Sequence, residues 1–462
     1  MLMNIFLIPA LMMFSPVLAA QELQNPVDLS DHWAGYLSLA IFLLAFGGIM
    51  TEEFTQLRKS KPVLLAAGLI WIIVGAAYSA YGESEVALQA MRESLLSYAE
   101  LMLFLLVTMT YVNALEERRL FVALRTWLVN RHLSYRKLYW IVGLLGFLIS
   151  PLADNLITVL LLGAFVIALG QGNKQFIALS CLNLVLASNA GGVFSPFGDV
   201  TSLMVWQADK LQMPDFLPLA GPALVAYLIP AVIIQFALPA GSPQADGEII
   251  IRPRRGTIRI LLLFLLTILT TIYMHYGLYL PPVIGMLTGL SYLQLFGYYL
   301  KKTAQKDLVD NLDGDDIGTP GSFDIFSSIA RVEWDTLLFF YGVIMCVGGL
   351  GFIGYLAFLS DWLYGGIGAT MANISMGLMS GVFDSIPMMY GVLIMDPAMS
   401  LTQWQLITLS TGIGGSLLAI GSAGGVALMG QARGYYTFFS HLKWLPVIAL
   451  GYFAAIYLHL NL

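Results

Sequence analysis

The chain has 462 residues, of which 58% are apolar and only 11% charged, against roughly 25% charged in an ordinary soluble domain. A net charge of −6 with no basic stripe leaves no electrostatic footprint for nucleic acid. Cys181 and Cys346 lie in apolar runs and the five histidines are scattered, so neither a disulfide framework nor a metal cluster is written here, and no Ser-His-acid set or phosphate-binding loop supports an enzyme or a bound cofactor.

Residues 1–20 are apolar, and Ala19-Ala20 precedes the polar Gln21-Glu22. This reads as a signal peptide, although no Lys or Arg precedes the run; an uncleaved extra helix is the other reading. Apolar segments then recur at about 34–51, 63–81, 95–115, 138–149, 154–170, 176–190, 218–239, 259–278, 281–300, 334–359, 367–380, 386–396, 403–430 and 444–461. Repetition at membrane-spanning length predicts an all-α polytopic membrane protein with about 11–13 spans. Several segments are too short or too rich in Gly and Pro to be simple spans.

Three basic clusters orient the chain: Arg58, Lys59 and Lys61; Arg118, Arg119, Arg125, Arg131, Arg136 and Lys137; and Arg252, Arg254, Arg255 and Arg259. The loop Gly82-Glu83-Ser84-Glu85 is acidic, so the positive-inside rule puts the clusters in the cytoplasm and the mature N-terminus outside. The expected organisation is N-terminal helices at 21–115, a cytoplasmic basic loop at 116–137 and a first core at 138–240. A cytoplasmic loop at 241–258, helices at 259–300 and an acidic cytoplasmic linker at 301–332 lead to a second half at 333–461, with its core at 367–430.

The two cores match each other. Ser150-Pro151-Leu152-Ala153-Asp154-Asn155 pairs with Ser380-Gly381-Val382-Phe383-Asp384-Ser385. Downstream, Asn189-Ala190-Gly191-Gly192 leads through Pro196 to Gly198-Asp199, as Gly412-Ile413-Gly414-Gly415 leads through Ala419 to Gly421-Ser422. Two matches in the same order argue for duplication, and the basic clusters set the halves in opposite orientations. Inverted repeats with broken helices are a plan of secondary transporters, with a site near the midplane.

Asp154 stands between two apolar runs, with Ser150 and Thr158 one helical turn away on either side. An intramembrane carboxylate is costly and by default functional, while a helix-capping Asp is the plainer reading. Asp199 follows Gly191, Gly192, Pro196 and Gly198, an interruption that predicts a re-entrant hairpin there. Asn189, Asp199 and Thr201 then offer amide, carboxylate and hydroxyl oxygens suited to a hard cation such as Na+ or Li+. The second half offers Asp384, Ser385, Thr411, Ser416 and Ser422, with hydroxyls where the first half has acids. Asp396, Glu333 and Asp335 read as loop or interfacial charges. A carboxylate in a poorly solvated cavity can take a proton or a cation but not both, which is the chemistry of cation/proton antiport.

On these stretches, together with Ser188 to Thr201, Gly414 to Gly425 and the tail Gly430 to Trp444, the chain resembles the NhaD family of sodium/proton antiporters. That family belongs to a superfamily that also holds arsenite permeases and dicarboxylate transporters. The resemblance implies export of Na+ or Li+ in exchange for H+ across a bacterial inner membrane. It also implies family-important polar residues falling on Ser150, Asp154, Asn155, Asn189, Asp199, Thr201, Ser416 and Ser422, and a lipid-embedded homodimer with a scaffold beside a mobile transport domain. One departure stands out: Ser385 follows Asp384 where the family often has Asn. The rival readings are an anion or oxyanion permease of the same fold, which wants few buried acids, and an ion channel.

Overall fold

The computed structural model describes residues 28–50, 57–129, 131, 133–170, 172–243, 252–310 and 324–462. The expected signal peptide and the middle of the acidic linker lie outside the described residues. Those residues are all-helical; eight of their helices are long and apolar enough to cross a membrane, and shorter apolar helices accompany them. The chain is therefore a multi-pass membrane protein.

The first half begins with α1 (Trp33–Met50), α2 (Ser60–Ala80) and α3 (Ser84–Glu117). The region expected as a basic loop contains α4 (Leu120–Val129). Then come α5 (Tyr135–Ala153), α6 (Asn155–Gly170), α7 (Lys174–Gly192), α8 (Val200–Gln207) and, after a 3-10 turn, α9 (Ala220–Ile234). The second half opens with α10 (Thr257–Leu278) and α11 (Pro282–Asp310), which carries helix into the stretch expected as a linker. It continues through α12 (Ile325–Ala330), α13 (Trp334–Ile353), which stops at left-handed Gly354, and the short α14 (Tyr355–Ser360). The core follows as α15 (Ala369–Phe383), α16 (Ser385–Met395), α17 (Leu401–Gly414), α18 (Ala423–Gln431), α19 (Phe438–Leu442) and α20 (Leu445–Leu460).

Hydrogen bonds between helix ends fix the course of the chain. Tyr135 N donates to Gly241 O at 3.0 Å, Gln175 Nε2 to Ala237 O at 2.7 Å and Asn173 N to Gly170 O at 2.8 Å. The rings of Tyr135 and Phe176 are 4.6 Å apart. Hence the start of α5, the end of α6 and the start of α7 all lie on one face, which we term the basic face because Arg118 and Arg254 meet at the chain crossings beside it. The arms α5 and α6 form a re-entrant hairpin with Asp154 at its tip. By contrast α8 reaches the opposite face, where Trp206 Nε1 donates to Tyr276 Oη at the end of α10. The expected re-entrant hairpin around Asp199 is thus corrected: α7 and α8 are one span, broken at 193–199. Its glycines and proline unwind the chain without reversing it, whereas the reversal comes at Asp154, one turn after Pro151 has weakened the end of α5.

The second half repeats this arrangement from the other side. Gln403 Nε2 donates to Thr370 Oγ1 at 2.8 Å, His459 Nε2 binds Thr402 O at 3.1 Å, and Lys210 pairs with Asp396 at 2.6 Å. The base of the α15/α16 hairpin therefore sits on the opposite face, and α17 with α18 forms the second broken span. The halves interlock by exchange: α6 lies along α18, with Gln431 Nε2 on Leu160 O at 3.1 Å, and α8 packs against α16.

Around this core, α2 lies along α13, tied by Trp71 Nε1 to Met345 O at 2.9 Å, and α3 lies along α11, tied by Tyr111 Oη to Gly289 O at 2.7 Å.

Within each repeat the hairpin and the broken span touch backbone to backbone. A Cβ on Gly414 would overlap Gly377 O and lie 2.6 Å from Ser380 Oγ, and one on Gly191 would overlap Phe147 O. Gly414→Val is therefore expected to lose the monodisperse peak on detergent size exclusion, since overpacking costs about 1–3 kcal/mol or more. Gly430→Ala, with nothing within 4 Å of its Cβ, leaves the profile unchanged.

Candidate functional site

The site lies where the hairpin tips meet the breaks in α7–α8 and α17–α18. At the first tip, Asp154 ends α5 and accepts Thr158 N on its main-chain oxygen at 3.1 Å, so it also opens α6. Asp154 thus stands at the N-cap position of α6, with its carboxylate buried. Its backbone has φ 62° and ψ 147°. The second tip, Asp384, has φ 71° and ψ 146°. A positive φ with extended ψ is a region used almost solely by glycine, at about 1–3 kcal/mol for other residues. Two aspartates at equivalent places hold it, and sequence alone gave no hint of this.

Asp154 and Asp199 are 3% and 4% exposed, yet their carboxylates are served differently. Asp199 receives Thr201 Oγ1 at 2.6 Å on one oxygen and Asn155 Nδ2 at 3.2 Å on the other. Asn155 Nδ2 also lies 3.2 Å from Asn189 Oδ1, and Asn189 Nδ2 donates to Ser416 Oγ at 2.9 Å. One polar chain therefore links the first tip, both breaks and both repeats. Asp154 Oδ1 is buried and has no hydrogen-bond partner among the described residues, and the same holds for Thr158 Oγ1 one turn along α6. An unsatisfied buried carboxylate oxygen is costly, and it is free to take a proton, a cation or a water.

The other expected site residues fall outside this chain of contacts. Ser150 Oγ donates to Ser188 O at 2.7 Å, and its counterpart Ser380 Oγ donates to Thr411 O at 2.9 Å. Each serine ties its hairpin to its broken span. Ser422 Oγ accepts Gly425 N at 3.2 Å and caps α18. Ser385 Oγ lies 3.5 Å from Asp384 Oδ1, which also accepts Ile386 N at 3.4 Å. As expected, Asp396 is a loop charge, Glu333 precedes α13, and Asp335 in its first turn accepts Ser60 Oγ.

Two residues were missed. Lys59, expected only as part of a cytoplasmic basic cluster, is buried, with Nζ 3.9 Å from Asp384 Oδ2. His441 Nε2 meets Ser416 O at 2.9 Å, and Tyr436 Oη meets its Nδ1 at 2.6 Å. A carbonyl only accepts, so the neutral ring carries its proton on Nε2 and Nδ1 accepts from Tyr436. His441 thereby positions the Ser416 backbone. A lone histidine in an apolar tail carries no spacing signal that marks this role.

A cavity of about 450 Å³ runs along α6 between α3, α4 and the start of α13, with Glu116, Arg331 and Glu333 in its wall beside Ile157, three residues from Asp154.

Residues 5–414 match the protein family described as "Citrate transporter". The chain is 54% identical over 460 residues to the Na+/H+ antiporter NhaD of Alkalimonas amylolytica, covering 97% of this chain and 95% of that protein. It is 52% identical over 464 residues to the Na+/H+ antiporter NhaD of Vibrio cholerae, covering 98% and 97% respectively. A more distant similarity, 26% over 434 residues, is to sodium/proton antiporter 1 of Arabidopsis thaliana, covering 90% of this chain and 70% of that one.

The tip geometry gives a direct test. Both Ala and Gly remove the carboxylate, but only Gly relieves the backbone, so Asp154→Gly and Asp384→Gly are expected to be more stable than Asp154→Ala and Asp384→Ala by about 1 kcal/mol or more. Thermal unfolding in detergent measures the difference; equal midpoints would remove the claim of strain.

Proposed function

This chain belongs to the NhaD antiporters within the citrate-transporter family, and we propose that its exchange of Na+ for H+ runs through Asp154 and Asp199. The observation that carries this reading is the buried, unpartnered Asp154 Oδ1 beside the unpartnered Thr158 Oγ1. Na+ is a hard cation that takes oxygen ligands, and a proton satisfies the same carboxylate. Occupancy is therefore exclusive, and exclusive occupancy is what converts a proton gradient into cation efflux.

In this mechanism Asp154 and Thr158 supply oxygens to the ion. Asp199 provides the second negative charge, held in place by Thr201 and Asn155. Asn155 donates through Nδ2 to the ionised Asp199 and to Asn189, and Asn189 passes the alignment on to Ser416. With the cation gone, two carboxylates in one water-poor chamber repel each other, and taking up protons relieves that repulsion. Alternating access exposes the loaded site to one side at a time. Rigid packing of each hairpin on its broken span supports movement of these elements as a block against α2, α3, α11 and α13. The cavity along α6 supports an approach from the basic face, its wall carrying two carboxylates, Glu116 and Glu333, beside one guanidinium, Arg331.

The positive-inside rule supports a cytoplasmic basic face and an N-terminus on the other side, and the family resemblance supports a bacterial inner membrane, with that side the periplasm. The family resemblance supports a homodimer in lipid. No resident cofactor and no enzymatic step enter this scheme; Na+ or Li+ and H+ are cargo.

Although the family is described by citrate, the site favours a cation. The half-helices α6, α8 and α16 begin at Asp154, Asp199 and Asp384, and α18 begins at Ser422. Helix N-termini attract anions, but here three of the four already carry a carboxylate of the chain itself. A di- or tricarboxylate arriving there meets like charge.

Proton movement in sealed proteoliposomes with a preset pH gradient tests the proposal. Na+ or Li+ should trigger flux in wild type and none in Asp154→Asn or Asp199→Asn. Thr158→Val should keep transport but raise the half-saturating Na+ concentration about tenfold, the equivalent of one lost ligand at about 1.4 kcal/mol. Flux surviving in Asp154→Asn at wild-type affinity would sink the assignment.

A further inference from the structure

The two hairpin tips share a backbone conformation but not an electrostatic environment. At the first tip Asp154 Oδ1 is left without a partner among the described residues. At the second, both oxygens of Asp384 are engaged: Oδ1 by Ile386 N and Ser385 Oγ, and Oδ2 by the ammonium of Lys59 at 3.9 Å. Lys59 precedes α2 and is flanked by Arg58 and Lys61, which are exposed; it alone turns inward, with Nζ 4.2 Å from the centre of the Phe339 ring. An aromatic face stabilises a desolvated ammonium, as the carboxylate does. The equivalent place in the other half, the turn Tyr279-Leu280-Pro281 before α11, carries no basic residue.

We propose that Lys59 is a tethered cation standing where the second repeat would otherwise take a substrate ion, so that each protomer binds a single Na+ rather than two. The inference rests on the assignment of the transported cation to Asp154 and Asp199. The duplicated chain contains two aspartate tips, and a duplicated site would carry two cations. A covalently held ammonium at Asp384, supplied from the start of α2, removes that second vacancy and neutralises the tip in the conformation seen here. It thereby acts as a specificity-determining residue for the number of ions moved, without touching the transported one.

Equilibrium binding of radiolabelled Na+ to the purified full chain in detergent, at alkaline pH so that protons do not compete, reads the number directly. Wild type should bind one Na+ per protomer, Lys59→Met two, and the double variant Lys59→Met/Asp384→Asn one again. Two ions in wild type, or one in a monodisperse Lys59→Met, would overturn the proposal. Should Lys59→Met alone fail to fold, the double variant, which leaves no lone buried charge, still decides: retention of one ion supports the proposal, and loss of binding shows that Asp384 itself holds the substrate. Asp154→Asn separates the two readings. If it keeps the wild-type ion while Lys59→Met gains one, the site assignment fails and the role of Lys59 stands.

Discussion

Everything in this fold depends on helices that begin in the middle of a membrane. A helix start leaves N–H groups without intrahelical partners, and hydrocarbon offers none, so such starts survive only where protein groups meet them. In this chain Asp384 and Ser422 meet such groups with side-chain oxygens, while Asp154 and Asp199 set a carboxylate at the start of their helices and accept the first intrahelical bond on their main-chain oxygens. Because each start draws negative charge, the residues that permit the broken helices are also those that a cation can use. Structure and chemistry share one set of atoms, and an empty version of the same scaffold would suit an anion.

The second condition is that these starts stay in register. Ser150 and Ser380 bind carbonyls of the neighbouring span, and glycines let the backbones approach more closely than a methyl group allows. Each hairpin is thereby fixed to its own broken helix, while α6 with α18 and α8 with α16 join the repeats across the pseudo-symmetry. Asn189 reaching Ser416 carries the same union into the site, and His441 secures the far side of that bond.

Much of this was legible in the residues. The duplicated motifs, their opposed orientation, the buried carboxylates of Asp154 and Asp199, and the company of Asn189 and Thr201 follow from polar residues and helix breakers in apolar surroundings, while Asn155 entered through the family resemblance. The misplaced hairpin shows the limit of that approach. Gly191, Gly192, Pro196 and Gly198 announce an interruption, but glycine and proline mark where a helix stops and are silent on which way the chain leaves. Direction is set by contacts such as Gln175 with Ala237, far apart in sequence. The burial of Lys59 was missed for a related reason. A basic cluster scores as a solvated surface by composition, and nothing in Arg58-Lys59-Ser60-Lys61 tells which side chain finds a carboxylate more than three hundred residues away.

The paired backbone conformation at Asp154 and Asp384 bears on how this protein can evolve. Most replacements at a tip keep the strain and lose the charge, so selection removes them twice over. Glycine relaxes the chain but discards the carboxylate; asparagine, the side chain next best suited to positive φ, keeps the shape and discards only the ionisation. Drift at either tip is thus channelled toward two outcomes, and the repeat that first accepts one of them surrenders its carboxylate while the other retains its own. A duplicated transporter can in this way lose the symmetry of its chemistry while the symmetry of its backbone endures.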